Sequence, residues 1–360
     1  MPLNIAETWT TSVTLAEIAS WLRGARRVVV LTHLKPDGDA VGSTVAVCRA
    51  LNRHRAGAAA AWYCGPMPVW FASLAGDTPA FVLDGSTVPP PGQDAEPDAI
   101  VILDTGSWSQ LEGVTTYLRP RRDRVAVIDH HVQGDADTSA RRYIETSAAA
   151  VAEPAAELCR LILGVNSIAE LPREVAEPLF VGIATDTGWF KHSNVTPPVL
   201  RHAADLLAAG ANHSELYRLI EQQDRPARVR LLAKSLSSLE LHAENRVATM
   251  SLTRADMAEA GGEPGDAGGF ADSAQCIGSV RVVAMFTESE VGPNSRPITK
   301  LSLRAKNTAD APDVNKVARQ FGGGGHVRAA GARMNLSLAE AKRQVIDALA
   351  KAMSPTGSSM

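Results

Sequence analysis

The sequence predicts an α/β protein in two parts: a parallel-sheet, Rossmann-like first domain, then a helical linker leading to a smaller α+β domain. Three observations carry this prediction. Short, continuous apolar runs alternate with longer helical patterns through the first half, which is the βαβ rhythm. Those runs lack apolar/polar alternation, as strands buried on both faces do. The second half loses the rhythm and groups strand-like runs differently, and 360 residues are enough for two cores.

In chain order, Arg27–Thr32 (RVVVLT), Ala59–Cys64 (AAAWYC), Ala99–Asp104 (AIVILD) and Val125–Asp129 (VAVID) are expected as parallel strands. Helices are expected at about 40–53, 152–163 and 173–187. The proline-rich stretch 84–98 reads as a loop. From about 199 the pattern becomes helices with polar faces, so the boundaries are set at 1–200, a helical linker at 201–235, and a second domain at 236–353. In that domain Leu236–His242, Val247–Leu252, Val280–Phe286 and Thr299–Arg304 read as strands, and 313–320 and 337–352 as helices. The tail 354–360 (SPTGSSM) is expected to be disordered.

Composition narrows the function. Lys and Arg number 36 against 39 Asp and Glu, a net charge of −3. Coating long double-stranded nucleic acid favours a strongly basic surface, so that class is disfavoured. A short anionic ligand needs only a few arginines in a cleft. The first residues, MPLNIAETWTTSV, show no basic stretch followed by an apolar core, and no apolar run approaches the ~20 residues that span a bilayer. Cys48, Cys64, Cys159 and Cys276 form no CxxC pair, so reduced thiols in a cytoplasm are expected.

The chemistry gathers where strands end. "LTHLKPDGDAVGS" (31–43) brings His33, Asp37 and Asp39 directly after an apolar strand. The third strand ends in Asp104-Thr105-Gly106 and the fourth in Asp129-His130-His131. In open α/β sheets ligands bind beyond the carboxyl ends of the strands. Each residue has an ordinary alternative: Asp39 as a helix cap, the Asp104 turn as a turn, the histidines as a surface pair. Asp186 is harder to dismiss. It closes the apolar helix "AEPLFVGIATDTG", and a helix C-terminus disfavours a carboxylate unless a cation is near. Carboxylate and imidazole without thiolate suit Mn²⁺, with Mg²⁺ or Co²⁺ as substitutes. The carboxylates exceed one ion's needs, so two metals are expected; such a pair activates a water and neutralises a phosphoryl group. Gly38 is expected to let the loop turn, and Gly42-Ser43 to bring the next helix close to the sheet.

"HLKPDGDAVGS", "LDTG", "DHH" and "ATDTGWF" resemble, in order, the four motifs of the DHH phosphoesterase superfamily. "FGGGGHVRAAG" (321–331) resembles the glycine-rich signature of the DHH-associated C-terminal domain. The pairing is similar to the short oligoribonuclease and pAp-phosphatase group, where pAp is 3′-phosphoadenosine 5′-phosphate, more than to the longer exonucleases. The resemblance implies that His33, Asp37 and Asp104 hold one metal. It implies that Asp39, Asp104, His130 and Asp186 hold the other, with Asp104 bridging. Asp129 would orient a ligand imidazole, and His131 would face the substrate phosphate or leaving oxygen. It further implies a homodimer acting on short RNA, linear dinucleotides such as pApA, pAp and, in some relatives, cyclic di-AMP, with nucleoside monophosphates as products.

In the second domain, glycines let a backbone approach an anion closely. The alternative is a flexible connector. Flanking side chains and the resemblance favour Gly322, Gly323, Gly324, Gly325, His326 and Arg328 as substrate-binding. Arg304 in "KLSLRAK" would clamp a phosphate, and Ser302 shares its strand face. Arg281 is a weaker candidate. The basic turn Arg119, Arg121, Arg122, Arg124 reads as a solvated loop, the linker arginines Arg225, Arg228 and Arg230 are ambiguous, and His192 would line the cleft. Two rivals stand beside this reading: a family II inorganic pyrophosphatase, and a regulatory module that binds cyclic dinucleotides without turnover.

Overall fold

Val28–Leu31 (β1), Ala59–Cys64 (β2), Ala99–Leu103 (β4) and Val125–Asp129 (β5) are buried along their whole length, as their uninterrupted apolar sequences require. In this computed structural model, which describes residues 8–83, 88–93, 95–289 and 297–353, they form a six-stranded parallel sheet with Ala80–Leu83 (β3) and Arg141–Ile144 (β6). The order is β3-β2-β1-β4-β5-β6. Successive crossovers run one way from β1 and the other way from β4, so a crevice opens between those two strands at their carboxyl ends. The tail 354–360 and residues 84–87 and 94 of the proline-rich stretch lie outside the described residues.

One face of the sheet carries Leu15–Gly24 (α1), Gly38–His54 (α2), Ala152–Leu163 (α5) and Arg173–Asp186 (α6). Short helices Phe71–Ala75 (α3) and Thr115–Leu118 (α4) lie between strands, and Leu111, Val114 and Leu118 help cover the other face. The glycines of α2 do a different job from the one expected. A Cβ on Gly38 would lie 2.2 Å from Thr185 Oγ1, and one on Gly42 would lie 2.2 Å from the Pro178 carbonyl oxygen. Both therefore face α6, not the sheet: the close approach is helix to helix, and it brings the N-terminus of α2 to the C-terminus of α6.

The chain divides into two compact units, Met1–Gln223 and Asp224–Met360. Of the segment read as a linker, Pro197–Ala208 (α7) and His213–Glu221 (α8) bury Val199, Leu206 and Leu216 in the first core. Pro226–Ser237 (α9) buries Leu231 in the second.

The second unit is built on a mixed sheet in the order β11-β12-β10-β9-β8-β7, made of Glu240–His242 (β7), Val247–Leu252 (β8), Val282–Glu288 (β9), Thr299–Ala305 (β10), Gly324–Gly325 (β11) and Ala329–Met334 (β12). Within this sheet, among the described residues, only β8 and β9 pair in parallel. Val314–Arg319 (α12) and Leu338–Met353 (α13) cover one face through Val317, Val345 and Leu349. Arg254–Ala260 (α10) and Phe270–Ser273 (α11) belong to the other side.

Candidate metal centre

Six residues meet at the crevice between β1 and β4. His33 follows β1, Asp104 follows β4, and His130 follows Asp129, the last residue of β5. Asp37 and Asp39 arrive on the first turn of α2, and Asp186 is the last residue of α6. Asp104 sits at φ 65°, a left-handed conformation uncommon outside glycine, with its N–H donating to the Ile128 carbonyl at 3.1 Å.

Asp104 is the hub. Its Oδ2 lies 3.4 Å from His33 Nε2 and its Oδ1 lies 3.3 Å from His130 Nε2. Around the first, His33, Asp37 and Asp104 bring ligand atoms within 4.8 Å of one another; around the second, Asp39, His130 and Asp186 do the same. His33 Nε2 is 3.8 Å from Asp37 Oδ1. His130 Nε2 is 3.6 Å from Asp186 Oδ2 and 4.0 Å from Asp39 Oδ2. These separations are too long for good hydrogen bonds between the groups.

The backbone sets the imidazoles. His33 Nδ1 contacts the Leu34 carbonyl at 2.8 Å and His130 Nδ1 contacts the Ala148 carbonyl at 3.3 Å. A carbonyl can only accept, so both Nδ1 atoms carry hydrogen and both Nε2 atoms turn toward the carboxylates, as metal-ligating histidines are held. Asp39 is fully buried. Its two oxygens accept the N–H groups of Val151 (2.6 Å) and Ala152 (2.9 Å) at the start of α5, whose dipole favours the negative charge. The ordinary alternative for Asp39, a cap on its own helix, does not hold. Asp37 takes that place, accepting from the N–H groups of Asp39 and Ala40 at 3.1 Å each. Asp129 Oδ1 accepts from the backbone of His130 (2.8 Å) and from His131 Nδ1 (2.7 Å), and His131 Nε2 has no hydrogen-bond partner among the described residues.

The electrostatics favour a cation. Burial, reinforced by Asp104 and Asp186, drives the Asp39 carboxyl well above its ordinary range. Burial and Asp104 push Asp186 up to about 7. Burial disfavours the charged imidazolium of His33, yet the facing Asp104 and Asp37 carboxylates raise it to about 11; the same opposition, with Asp104, Asp39 and Asp186 facing the ring, raises His130 to about 10. Asp104, though buried, is lowered by the two imidazoles. Without a metal the cluster must hold protons to exist. Asp104 Oδ1 is also buried with no hydrogen-bond partner. Oxygen and imidazole donors, an orphaned carboxylate oxygen and the preset Nε2 atoms together fit hard-to-borderline divalent ions.

Asn194 escaped the reading of the sequence. Its side-chain amide donates to the Ala149 and Asp186 carbonyls at 3.3 and 3.2 Å, tying the end of α6 to the loop before α5. Nothing in its local sequence distinguishes it. His192 is exposed and packs on Gly188, where a Cβ would lie 2.0 Å from its Nε2.

In the second unit Lys300, Ser302 and Arg304 alternate with buried Leu301 and Leu303, so they share the face away from the α12–α13 core. With Gly323–Gly325 and Arg333 they line an open groove of about 660 Å³. Lys300 and Arg333 are cross-strand partners that the sequence reading passed over, though Lys300 is two residues from Ser302. The glycine run is an edge strand in part. A Cβ on Gly323 would lie 2.0 Å from the Gly331 carbonyl oxygen, so backbone packs directly on backbone. Gly322, His326 and Arg328 are not brought into this groove. His326 closes a tight turn to Ala329, and the Arg328 guanidinium donates to the Ala311 and Thr308 carbonyls at 3.2 and 3.1 Å. Arg304 lies 3.4 Å from Asp272.

The arginines of the basic turn, and Arg281, Arg225 and Arg228, are engaged locally. Arg121 makes two hydrogen bonds to Glu96, which Arg124 also meets; Arg122 and Arg119 face Asp137. Arg281 pairs with Asp310, Arg225 with Glu263 and Asp266, and Arg228 with Asp224.

Comparison with known proteins agrees with this geometry. Residues 27–183 match the DHH family, N-terminal domain, and residues 244–354 match the DHHA1 domain. The bifunctional oligoribonuclease and PAP phosphatase NrnA of Thermus thermophilus is 32% identical over 354 residues, covering 97% of this chain and 96% of that protein. The Bacillus subtilis protein of the same name is 24% identical over 320 residues, covering 89% and 93%. An exopolyphosphatase-related protein from Bacteroides fragilis has the same fold, with a TM-score of 0.82 at 23% identity over 94% of this chain and 95% of that one. Motifs, sheet order and likeness converge: the chain belongs to the DHH family and joins its N-terminal domain to a DHHA1 domain.

Proposed function

We propose that this protein is a metal-dependent phosphoesterase that hydrolyses short oligoribonucleotides, linear dinucleotides such as pApA, and pAp to nucleoside monophosphates, with cyclic di-AMP as a further candidate substrate. The observation that carries the reading is the convergence of His33, Asp37, Asp39, His130 and Asp186 on one shared carboxylate, Asp104, at the sheet's ligand-binding edge. The likeness to NrnA over nearly the full chain supports the substrate class.

In this reading His33, Asp37 and Asp104 hold one ion and Asp39, Asp104, His130 and Asp186 the other. The ions are Mn²⁺, replaceable by Mg²⁺ or Co²⁺; when bound they offset phosphoryl charge and acidify a water. The protein's own groups do the rest. Asp129 fixes the His131 ring through Nδ1 and raises its affinity for a proton, so Nε2–H is available to a phosphate or leaving oxygen. Ser302, Arg304 and the N–H groups of Gly323–Gly325 grip the nucleotide's other phosphate. The missing Cβ of Gly38, which would lie 2.2 Å from Thr185 Oγ1, lets α2 bring its aspartates to the end of α6. A reducing cytoplasm suits the free, buried thiols of Cys48, Cys64 and Cys159. Among the described residues no helix is long and apolar enough to cross a membrane. The homodimer is part of the proposal on resemblance alone.

The test is a substrate panel with Mn²⁺: pAp, pApA, tri- to pentaribonucleotides, cyclic di-AMP and pyrophosphate, compared by kcat/KM. Turnover of pAp and the short oligomers is expected. Hydrolysis of pyrophosphate alone would replace the reading with a pyrophosphatase, and tight cyclic di-AMP binding without turnover would replace it with a regulatory module.

A further inference from the structure

Residues 8–14 precede α1 and lie outside the residues that match the DHH family. They run beside β6, the edge strand of the parallel sheet. Ser12 N–H donates to the Arg142 carbonyl at 2.8 Å, and Ser12 Oγ accepts from Arg142 N–H at 2.8 Å. Thr11 Oγ1 accepts from Ile144 N–H at 2.8 Å. The strap so satisfies outward-facing groups of an edge strand.

It also delivers Trp9 to the catalytic loops. The indole N–H donates to the main-chain carbonyl of His131 at 3.0 Å. The ring occupies space that any side chain on two glycines would need. A Cβ on Gly106 would lie 1.7 Å from Trp9 Cη2, and one on Gly134 would lie 2.5 Å from Cε2. Gly106 closes the Asp104-Thr105-Gly106 turn, so one side chain touches both the turn that carries Asp104 and the loop that follows His131. Those segments are themselves joined: Asp135 N–H and Thr138 Oγ1 donate to the Gly106 carbonyl at 3.0 and 2.8 Å.

Arg142 anchors the strap. It is 1% exposed, and burial lowers its pKa. Among the described residues no carboxylate pairs with it. Its guanidinium donates instead to the carbonyls of Thr10 (3.3 Å), Thr8 (3.4 Å), Ala136 (2.8 Å) and Ser139. A buried cation is costly unless hydrogen-bonded. Here its partners come from both the strap and the 136–139 loop, so one side chain ties those segments together.

We propose that Trp9 is a positioning residue for His131, acting on its main-chain carbonyl and on the Asp104–Gly106 turn, with Arg142 as the anchor. The proposal rests on the phosphoesterase reading, in which His131 meets the substrate. The Asp129 bond fixes the His131 ring, and the Trp9 bond fixes its backbone. Small displacements of a catalytic group cost rate steeply.

The experiment compares W9F, which keeps a ring and loses the N–H donor, with W9A, which loses both. For pAp hydrolysis with Mn²⁺, W9F should lower kcat about three- to tenfold, the worth of one hydrogen bond, with KM unchanged. W9A should lower it further. In hydrogen exchange on the metal-free proteins, W9A should speed exchange in 104–108 and 131–138 and leave 338–353 unchanged. Wild-type kcat in both variants would overturn the proposal, as would uniform acceleration of exchange or none. A wild-type protein that turns over no substrate would overturn the phosphoesterase reading instead, and the exchange data would then decide the Trp9 contact separately.

Discussion

At the scale of single residues the centre is governed by Asp104, whose two oxygens face different imidazoles. Asp104→Ala should abolish Mn²⁺-dependent turnover, measured on pAp at saturating metal; substantial residual activity would refute a bridging role. Protons supply a second expectation. In the metal-free protein His33 is held at about 11 and His130 at about 10, while Asp186 titrates at about 7. Near neutrality these raised values mean that protons occupy groups a cation must bind. Metal binding therefore releases protons, and affinity should climb as pH rises from about 6 to about 8. Calorimetry in two buffers of different ionisation enthalpy would measure the release; a pH-independent affinity would contradict it. The ligand types were legible in the sequence because carboxylates at strand ends are conspicuous. The tautomers were not, since they depend on carbonyls at Leu34 and Ala148.

At the scale of elements, the α2–α6 contact joins two halves of the ligand set. Gly42→Ala would put a methyl 2.2 Å from the Pro178 carbonyl oxygen, which is backbone and cannot rotate away. The helices must separate, at a cost of about 1–3 kcal/mol. A lower Tm and a weaker Mn²⁺ affinity should appear together, since separation also moves Asp37 and Asp39 from Asp186. An unchanged Tm would show that the contact relaxes cheaply. The strands β2 and β5 and the helix α5 fall where the sequence predicts them, because their apolar runs are long and bounded. The short strands β3, β6 and β11 escaped, having few residues and no distinctive pattern. The partner of Gly42 was misjudged for the same reason: a glycine marks a close approach without naming what approaches.

At the scale of the whole molecule, the proposed function divides the work between the two units. All the candidate metal ligands lie in Met1–Gln223, and Arg304 lies in Asp224–Met360. Arg304→Ala should therefore raise KM for a dinucleotide about ten- to a hundredfold, the worth of a charge-assisted hydrogen bond. Mn²⁺ affinity should not change. Measuring KM and metal affinity on this variant tests it, and an unchanged KM would dismiss the second unit's role in gripping substrate.

By itself the sequence determined the α/β class, the strand ends at which chemistry collects, and the identity of the carboxylates and imidazoles, because hydrophobic periodicity and residue type are local properties. Only the tertiary structure decided that Asp39 caps α5 while Asp37 caps α2, that Gly38 and Gly42 face a helix, and that Trp9 reaches His131. All but the Asp37 cap join residues far apart in the chain, and no local pattern records which distant group will complete a hydrogen bond or fill a missing Cβ; Asp37 takes the local cap because Asp39 is engaged by distant α5.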